Sequence, residues 1–325
     1  MPSSIADTRF QMVQLVFPEH TNQRGNLYGG RMMSWIATAG TLAASRFARR
    51  AVVLGAMDDL DFLAPIRLGE IVTLDTQVEF VGRSSLEVGV DVHAESPRDG
   101  ARRHATSSHL AFIALDDEAC PWPVAETIVP ASEAEEVLWA EAAARRAARL
   151  ARLRARRDGA DMIPNARVRH GAALSRIVLP EDALSGTLMF AGKLLEMLDE
   201  VAAITAVRYC RGATTTASLD TVYFYHTLRV GQIVDFRAVL TYVSRSSMEI
   251  GIRVDSEEPR TGARNHACTA FLTMVHVDDQ GRPSPVPAFT PESRDERRLW
   301  DEAARRVEAR RRRVEALRHA AGSEW

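Results

Sequence analysis

Arg83-Ser84-Ser85-Leu86-Glu87-Val88-Gly89 is written a second time in this chain, as Arg245-Ser246-Ser247-Met248-Glu249-Ile250-Gly251. The spacing between the copies is constant. Val16-Phe17-Pro18-Glu19 returns as Val178-Leu179-Pro180-Glu181, and Gly100-Ala101-Arg102 as Gly262-Ala263-Arg264. Asp116-Asp117 returns as Asp278-Asp279, so every residue of the first set reappears 162 positions on. Self-similarity at one fixed offset identifies a tandem duplication. A chain of 325 residues has room for two units of ordinary domain size. The reading gives a first domain over 1–130, a charged helix and linker over 131–165, a second domain over 166–290 and a charged C-terminal helix over 291–325.

Each copy follows one pattern. A short strand (about 10–17, and about 172–179) leads into a small-residue turn, Tyr28-Gly29-Gly30 or Phe190-Ala191-Gly192. A proline-free run rich in Ala, Leu and Met follows, Arg31 to Phe47 and Lys193 to Tyr209, and predicts a helix. Alternation then takes over: Val72, Leu74, Thr76, Val78 and Phe80 share one face while Thr73, Asp75, Gln77 and Glu79 take the other. Arg83-Ser84 and Arg245-Ser246 read as hairpin turns, and the Pro-Arg-Asp-Gly and Pro-Arg-Thr-Gly segments at 97–100 and 259–262 as the next ones. The order is one strand, one long helix and about four antiparallel strands. Leu194, Leu195, Met197, Leu198, Val201, Ala202 and Ile204 cover most of the second helix, which predicts a buried helix wrapped by its sheet, an α+β hotdog unit. A single unit leaves a sheet edge open, and the second copy is there to cover it.

Composition narrows the function. Hydrophobic residues make up 46% and the net charge is −2, so no basic excess points to nucleic acid. Three cysteines, Cys120, Cys210 and Cys268, have neither zinc nor disulfide spacing. The N-terminus carries Asp7 and Arg9 rather than an apolar signal core, and no run reaches the length of a membrane helix, so a cytoplasmic protein without membrane partners is expected. Segments 131–157 and 291–318 lead with acid and trail with base, which suits the helix dipole and predicts solvated helices packing one apolar edge on the sheet.

Chemistry is sought where the copies differ. Asn26 faces Leu188 across the repeat, Ala37 faces Asp199 and Thr38 faces Glu200. A carboxylate on a buried apolar helix is costly unless paired or used, and burial raises its pKa toward the range of a general base, so Asp199 is the leading candidate. Gly29-Gly30 at a helix start offers backbone N–H groups that suit a developing negative charge.

The segments Gly25-Asn26-Leu27-Tyr28-Gly29-Gly30, Asp61-Phe62-Leu63-Ala64-Pro65, Gly69-Glu70-Ile71-Val72, Ser85-Leu86-Glu87-Val88 and Met197-Leu198-Asp199-Glu200-Val201-Ala202 resemble the double-hotdog cytosolic acyl-CoA thioesterases from about Phe10 to about Ala288. The resemblance implies an acyl-CoA substrate, no cofactor, no metal, and an assembly of three chains. It implies one live site, with Asn26 from one copy and Asp199 from the other, Leu188 and Ala37 marking the dead one. Asp199 would be general base or nucleophile, Gly30 N–H the oxyanion donor and Asn26 the positioning amide. Tyr28, Gly29 and Glu200 would flank the substrate, and one of the turns Arg83-Ser84-Ser85 or Arg245-Ser246-Ser247 would meet the phosphates of coenzyme A. Tyr28 departs from the His or Phe of many relatives, and Ala191 breaks the second Gly-Gly. Two rivals remain, a hotdog hydratase or dehydratase, which would want a His near the helix, and a non-catalytic acyl-CoA binding module. Matching positions in both copies assign His104 and His266 a structural role.

Overall fold

The computed structural model describes residues 3–156, 163 and 168–320. The first half runs β1 (Phe10–Leu15), α1 (Gly29–Ala48), β2 (Val52–Met57), β3 (Leu60–Asp61), β4 (Ile71–Val81), β5 (Ser85–Glu95), β6 (Arg102–Ala114) and α2 (Glu133–Arg156). The second runs β7 (Gly171–Ile177), β8 (Ala183–Ser185), β9 (Leu188–Met189), α3 (Ala191–Cys210), β10 (Ala213–Leu219), β11 (Val222–Phe224), β12 (Ile233–Val243), β13 (Ser247–Glu257), β14 (Arg264–Val277) and α4 (Arg294–Ala320). Both central helices begin two residues earlier than the sequence suggested, because Gly29-Gly30 and Ala191-Gly192 form their first turns.

Each half is a hotdog: an antiparallel sheet curled around one helix. The strand order is β1-β4-β5-β6-β2-β11-β14-β13-β12-β7, with β10 pairing both β14 and β3. The halves therefore share one 12-stranded sheet, joined where β2 meets β11 (Met57 opposite Val222) and β3 meets β10 (Leu60 opposite Leu219). Pairing covers the edges that each half would otherwise expose. Strands β1 and β7 remain as the outer edges.

Inside the curl, α1 and α3 pack directly on each other. A Cβ on Gly30 would lie 2.8 Å from Asp199 Cβ and 3.0 Å from Glu196 Cα, and one on Gly192 would lie 2.9 Å from Ser34 Oγ. At Gly30 only glycine allows the helices to approach this closely, whereas at Gly192 the space is taken first by the ring of Phe190 in its own half. Leu194, Leu195, Leu198, Val201 and Ala202 are buried, as are Met32, Met33, Ile36 and Ala37. The helices are not buried all round: Ile204 and Val207 of α3 and Leu42 of α1 are exposed.

The charged helices depart most from expectation. Their packing edges are not simply apolar, because arginines reach carboxylates buried on the back of the sheet. Arg149 of α2 binds Glu87 at 2.7 Å and Asp58 at 2.9 Å, and Arg310 of α4 binds Glu249 at 2.9 Å and Asp220 at 2.6 Å. Glu87 and Glu249 are repeat mates, as are Asp58 and Asp220, so the same clamp is built twice. The copies diverge beside it. A register slip between Val78 and Phe80 leaves Glu79 as the extra residue, ion-paired to Arg145 and 3.7 Å from His109. Burial pushes the Glu79 carboxyl up to about 7 and the His109 imidazole down to about 4. The mates of these two residues are Thr241 and Phe271, and there Arg306 lies over the Phe271 ring at 3.7 Å.

Removing one partner of such a pair strands a buried charge. Arg149→Met should cost about 3–5 kcal/mol in a urea unfolding titration, because Glu87 is left uncompensated. A cost under about 1 kcal/mol would mean that the clamp contributes no more than an exposed ion pair.

Candidate active site

The site lies where the N-terminus of α1 meets the third turn of α3. Asp199 is buried, and both of its carboxylate oxygens are held. The Gly30 N–H donates to Oδ2 at 2.8 Å, and the Thr216 hydroxyl of β10 donates to Oδ1 at 2.5 Å. The first of these is one of the N-terminal helix donors that has no acceptor within its own helix. Gly29 lacks a side chain for an equally local reason: a Cβ there would stand 2.6 Å from Thr216 Cβ.

Burial pushes the Asp199 carboxyl above the usual aspartate range, while Thr216 and Gly30 oppose the shift and the charge of Glu200 adds to it. Ionising Asp199 therefore opposes folding. The stability associated with it is fully present below the ordinary aspartate pKa and falls as pH rises through the folded value.

Two hollows flank this carboxylate. The first, a cavity of about 230 Å³, is lined by Asn22, Arg24, Asn26, Gly29, Met32, Phe62, Thr215 and Thr216, among others. Its loop is tied down by Asn22, whose Oδ1 accepts from the N–H of Arg24 (3.0 Å) and of Asn26 (3.2 Å). Arg24 crosses to the other half, donating to the carbonyls of Asp278 and Val277. The second hollow is a groove that Asp199 itself lines, with Tyr28, Gly30, Glu200, Ala203, Ile204 and Val207. Arg31 pairs with Glu196 at its side, at 2.9 Å.

The structure thus brings Asn26, Tyr28, Gly29, Gly30, Asp199 and Glu200 around one crossing. It places Gly30 N–H on Asp199, where sequence reasoning had it facing a developing oxyanion. It does not bring the Arg-Ser-Ser turns there. Arg83, Ser84 and Ser85 cap the β4–β5 hairpin, with Ser85 Oγ accepting from Arg146 of α2 at 3.1 Å, and Arg245, Ser246 and Ser247 cap β12–β13. Neither turn lines either hollow. His104 and His266 sit on the sheet surface, where His266 pairs with Asp255 at 3.1 Å.

Thr216 and Asn22, like Arg24, escaped the sequence reading. The repeat mates of Thr216, Asn22 and Arg24 are Leu54, Leu184 and Gly186, so comparing the copies at these positions would have singled them out. Asn22, Asn26, Asp199 and Thr216 each have an apolar mate.

The comparisons with known proteins agree with this architecture. The thioesterase superfamily model matches twice, over residues 24–101 and 186–263. A cytosolic acyl coenzyme A thioester hydrolase of Homo sapiens is 28% identical over 309 residues, covering 89% of this chain and 80% of that protein. An uncharacterized acyl-CoA thioester hydrolase of Bacillus subtilis is 38% identical over 150 residues, 45% of this chain and 87% of its own length. In fold alone, an acyl-ACP thioesterase structure from Bacteroides thetaiotaomicron matches 84% of this chain and 100% of its own, with a TM-score of 0.55 at 12% identity. The chain belongs to the thioesterase superfamily, as a tandem-hotdog member of the acyl-CoA thioester hydrolases.

Carbon-13 NMR of the Asp199 carboxyl should place its titration above that of an exposed aspartate. Thr216→Val removes a bond to the charged form and should move it higher still. A titration at the ordinary value, unmoved by Thr216→Val, would contradict the arrangement.

Proposed function

We propose that this chain hydrolyses acyl-CoA thioesters to a free acid and coenzyme A at a single site between its halves. The observation that carries the reading is a buried carboxylate, Asp199 of one copy, fixed by a helix-start N–H of the other copy; it lines one hollow, and its partner Thr216 and the neighbouring Gly29 line the other. The thioester carbonyl would sit beside Asp199. The thiol arm and nucleotide would lie in the Arg24 cavity, and the acyl chain along Ala203, Ile204, Val207 and Tyr28.

Water attacks the carbonyl carbon while Asp199 accepts its proton as general base; the C–S bond then breaks, and Asp199 returns that proton to the leaving sulfur, so that coenzyme A departs as the thiol. A carboxylate with raised pKa is a stronger base than an exposed aspartate, provided that pH lies above its pKa. Gly30 N–H and Thr216 aim the carboxylate, so the polarising donor for the carbonyl is a different group. Asn22 suits that role: its Oδ1 is turned to the loop N–H groups, which leaves its Nδ2 as the donor end. Asn26 lines the same cavity and orients water or carbonyl. Arg24 takes the phosphate role for which the two Arg-Ser-Ser turns were candidates, since it is the arginine that lines the cavity. Neither rival is favoured by the site: among the described residues no His lines either hollow, as a hydratase would want, and a binding module has no use for a buried base.

Assembly and location belong to the same reading. Strands β1 and β7 are open edges carrying exposed Val13, Leu15 and Ile177, with Phe17 and Leu179 just beyond, and three chains would cover them in a closed ring. Among the described residues no helix is long and apolar enough to cross a membrane. A cytoplasmic location fits the relatives named cytosolic.

The decisive variants are Asp199→Asn, which should lower thiol release from acyl-CoA by about 100-fold or more, and Asn22→Ala and Asn26→Ala, which should lower it less. Asp199→Asn should also leave the melting temperature at pH 7 unchanged or raised, since a buried charge is removed. Leu188→Ala should leave turnover nearly untouched. Near-normal hydrolysis by Asp199→Asn would refute the mechanism.

A further inference from the structure

The relation that sets Asp199 opposite Ala37 also carries the Arg24 cavity onto a second cavity in the other half. Around it Asn22 becomes Leu184, Asn26 becomes Leu188, Thr215 becomes Val53 and Thr216 becomes Leu54. A site that merely lost its catalytic groups would be closed by the larger side chains that replaced them. Here the space is larger, about 510 Å³ against about 230 Å³. That is the size of a small-molecule pocket. Its apolar wall gives water few partners, whereas an apolar ligand needs none.

Polarity is reversed on the opposite wall as well. Leu63-Ala64-Pro65 of the first cavity is replaced by Tyr225-His226-Thr227 in the second, and both His226 and Thr227 are exposed. The second cavity thus has a mainly apolar interior, where the hydroxyls of Thr41 and Ser45 are spent on helix carbonyls, and hydrogen-bond donors, a ring N–H and a hydroxyl, at its rim. Arg24 has Gly186 as its mate, so the cation that would meet a nucleotide's phosphates in the first cavity is missing from the corresponding position of the second.

We infer that this cavity is a non-catalytic binding site for a free long-chain fatty acid. The chain lies against Leu54, Leu184, Leu188 and Leu228, and the carboxylate meets His226 and Thr227 at the rim. Naming the ligand as the product class rests on the hydrolase reading, whereas the amphipathic cavity does not. The site gives the enzyme a place to hold product away from the catalytic groups.

The test is a fluorescence titration of the full-length chain with cis-parinaric acid, with thiol release from acyl-CoA measured on the same preparations. Saturable binding should weaken at least tenfold in Leu184→Asn/Leu188→Asn, which restores the polarity of the first cavity, and in Leu54→Trp, which fills the second. Hydrolysis should stay within about twofold in both, which also reports that they fold. If neither variant folds, a diazirine-bearing fatty acid should label the segments around Leu188 and His226 in the unaltered chain. Parinarate binding that is absent, unchanged in the variants, or displaced by a non-hydrolysable acyl-CoA thioether at the Asp199 site would overturn the proposal. Cavity-dependent binding in a chain that hydrolyses no acyl-CoA would support the site and sink the catalytic reading alone.

Discussion

The hydrogen bond from Gly30 N–H to Asp199 is the constraint from which the rest of the structure can be read. It requires two helices from different halves to touch at the backbone, which is why a glycine stands at Gly30. It requires the helices to be enclosed, so that the carboxylate is buried and its pKa raised. It also requires the halves to keep a fixed mutual position. That rigidity comes from a continuous sheet through β2–β11 and β3–β10, and from the Arg149 and Arg310 clamps that hold the outer helices on its back. Arg313 adds a direct link between halves, reaching from α4 to Asp61 at 2.7 Å.

Duplication makes two such crossings, and the chain has used them differently. Once both halves were on one polypeptide, substitutions could accumulate in one copy without their mirror image in the other. The first crossing holds every polar group of the proposed chemistry: Asn22 and Asn26 from the first copy, Asp199 and Thr216 from the second. The other crossing has Leu184, Leu188, Ala37 and Leu54. The divergence extends to the sheet, where Glu79 and His109 face Arg145 in one half while Thr241 and Phe271 accompany Arg306 in the other.

Much of this was legible in the sequence because a repeat supplies its own comparison. The 162-residue offset separated what stands in both copies, such as His104 and His266, from what stands once, such as Asp199. The close approach of Gly29 and Gly30 was visible as a small-residue turn. Thr216 was hidden because it stands in a run of threonines on a strand, where a polar residue in alternation invites no question, although Leu54 is its mate. Asn22 was overlooked because Asn26 is nearer to the Gly-Gly pair. The arginine clamps were illegible for another reason: Arg149 and Glu87 are 62 residues apart and on different kinds of element, so no periodicity links them. Acid-before-base order correctly suggested helices there, but it could not say that their packing faces carry charge.

The most direct test of a single asymmetric site is a crystal structure with a non-hydrolysable acyl-CoA thioether ketone bound. The account predicts one ligand per chain, its carbonyl within hydrogen-bonding distance of the Asp199 crossing, its nucleotide end toward Arg24 and its acyl chain along Ile204 and Val207. A ligand whose carbonyl lies beside Ala37 and Leu188, with the Asp199 crossing empty, would contradict it.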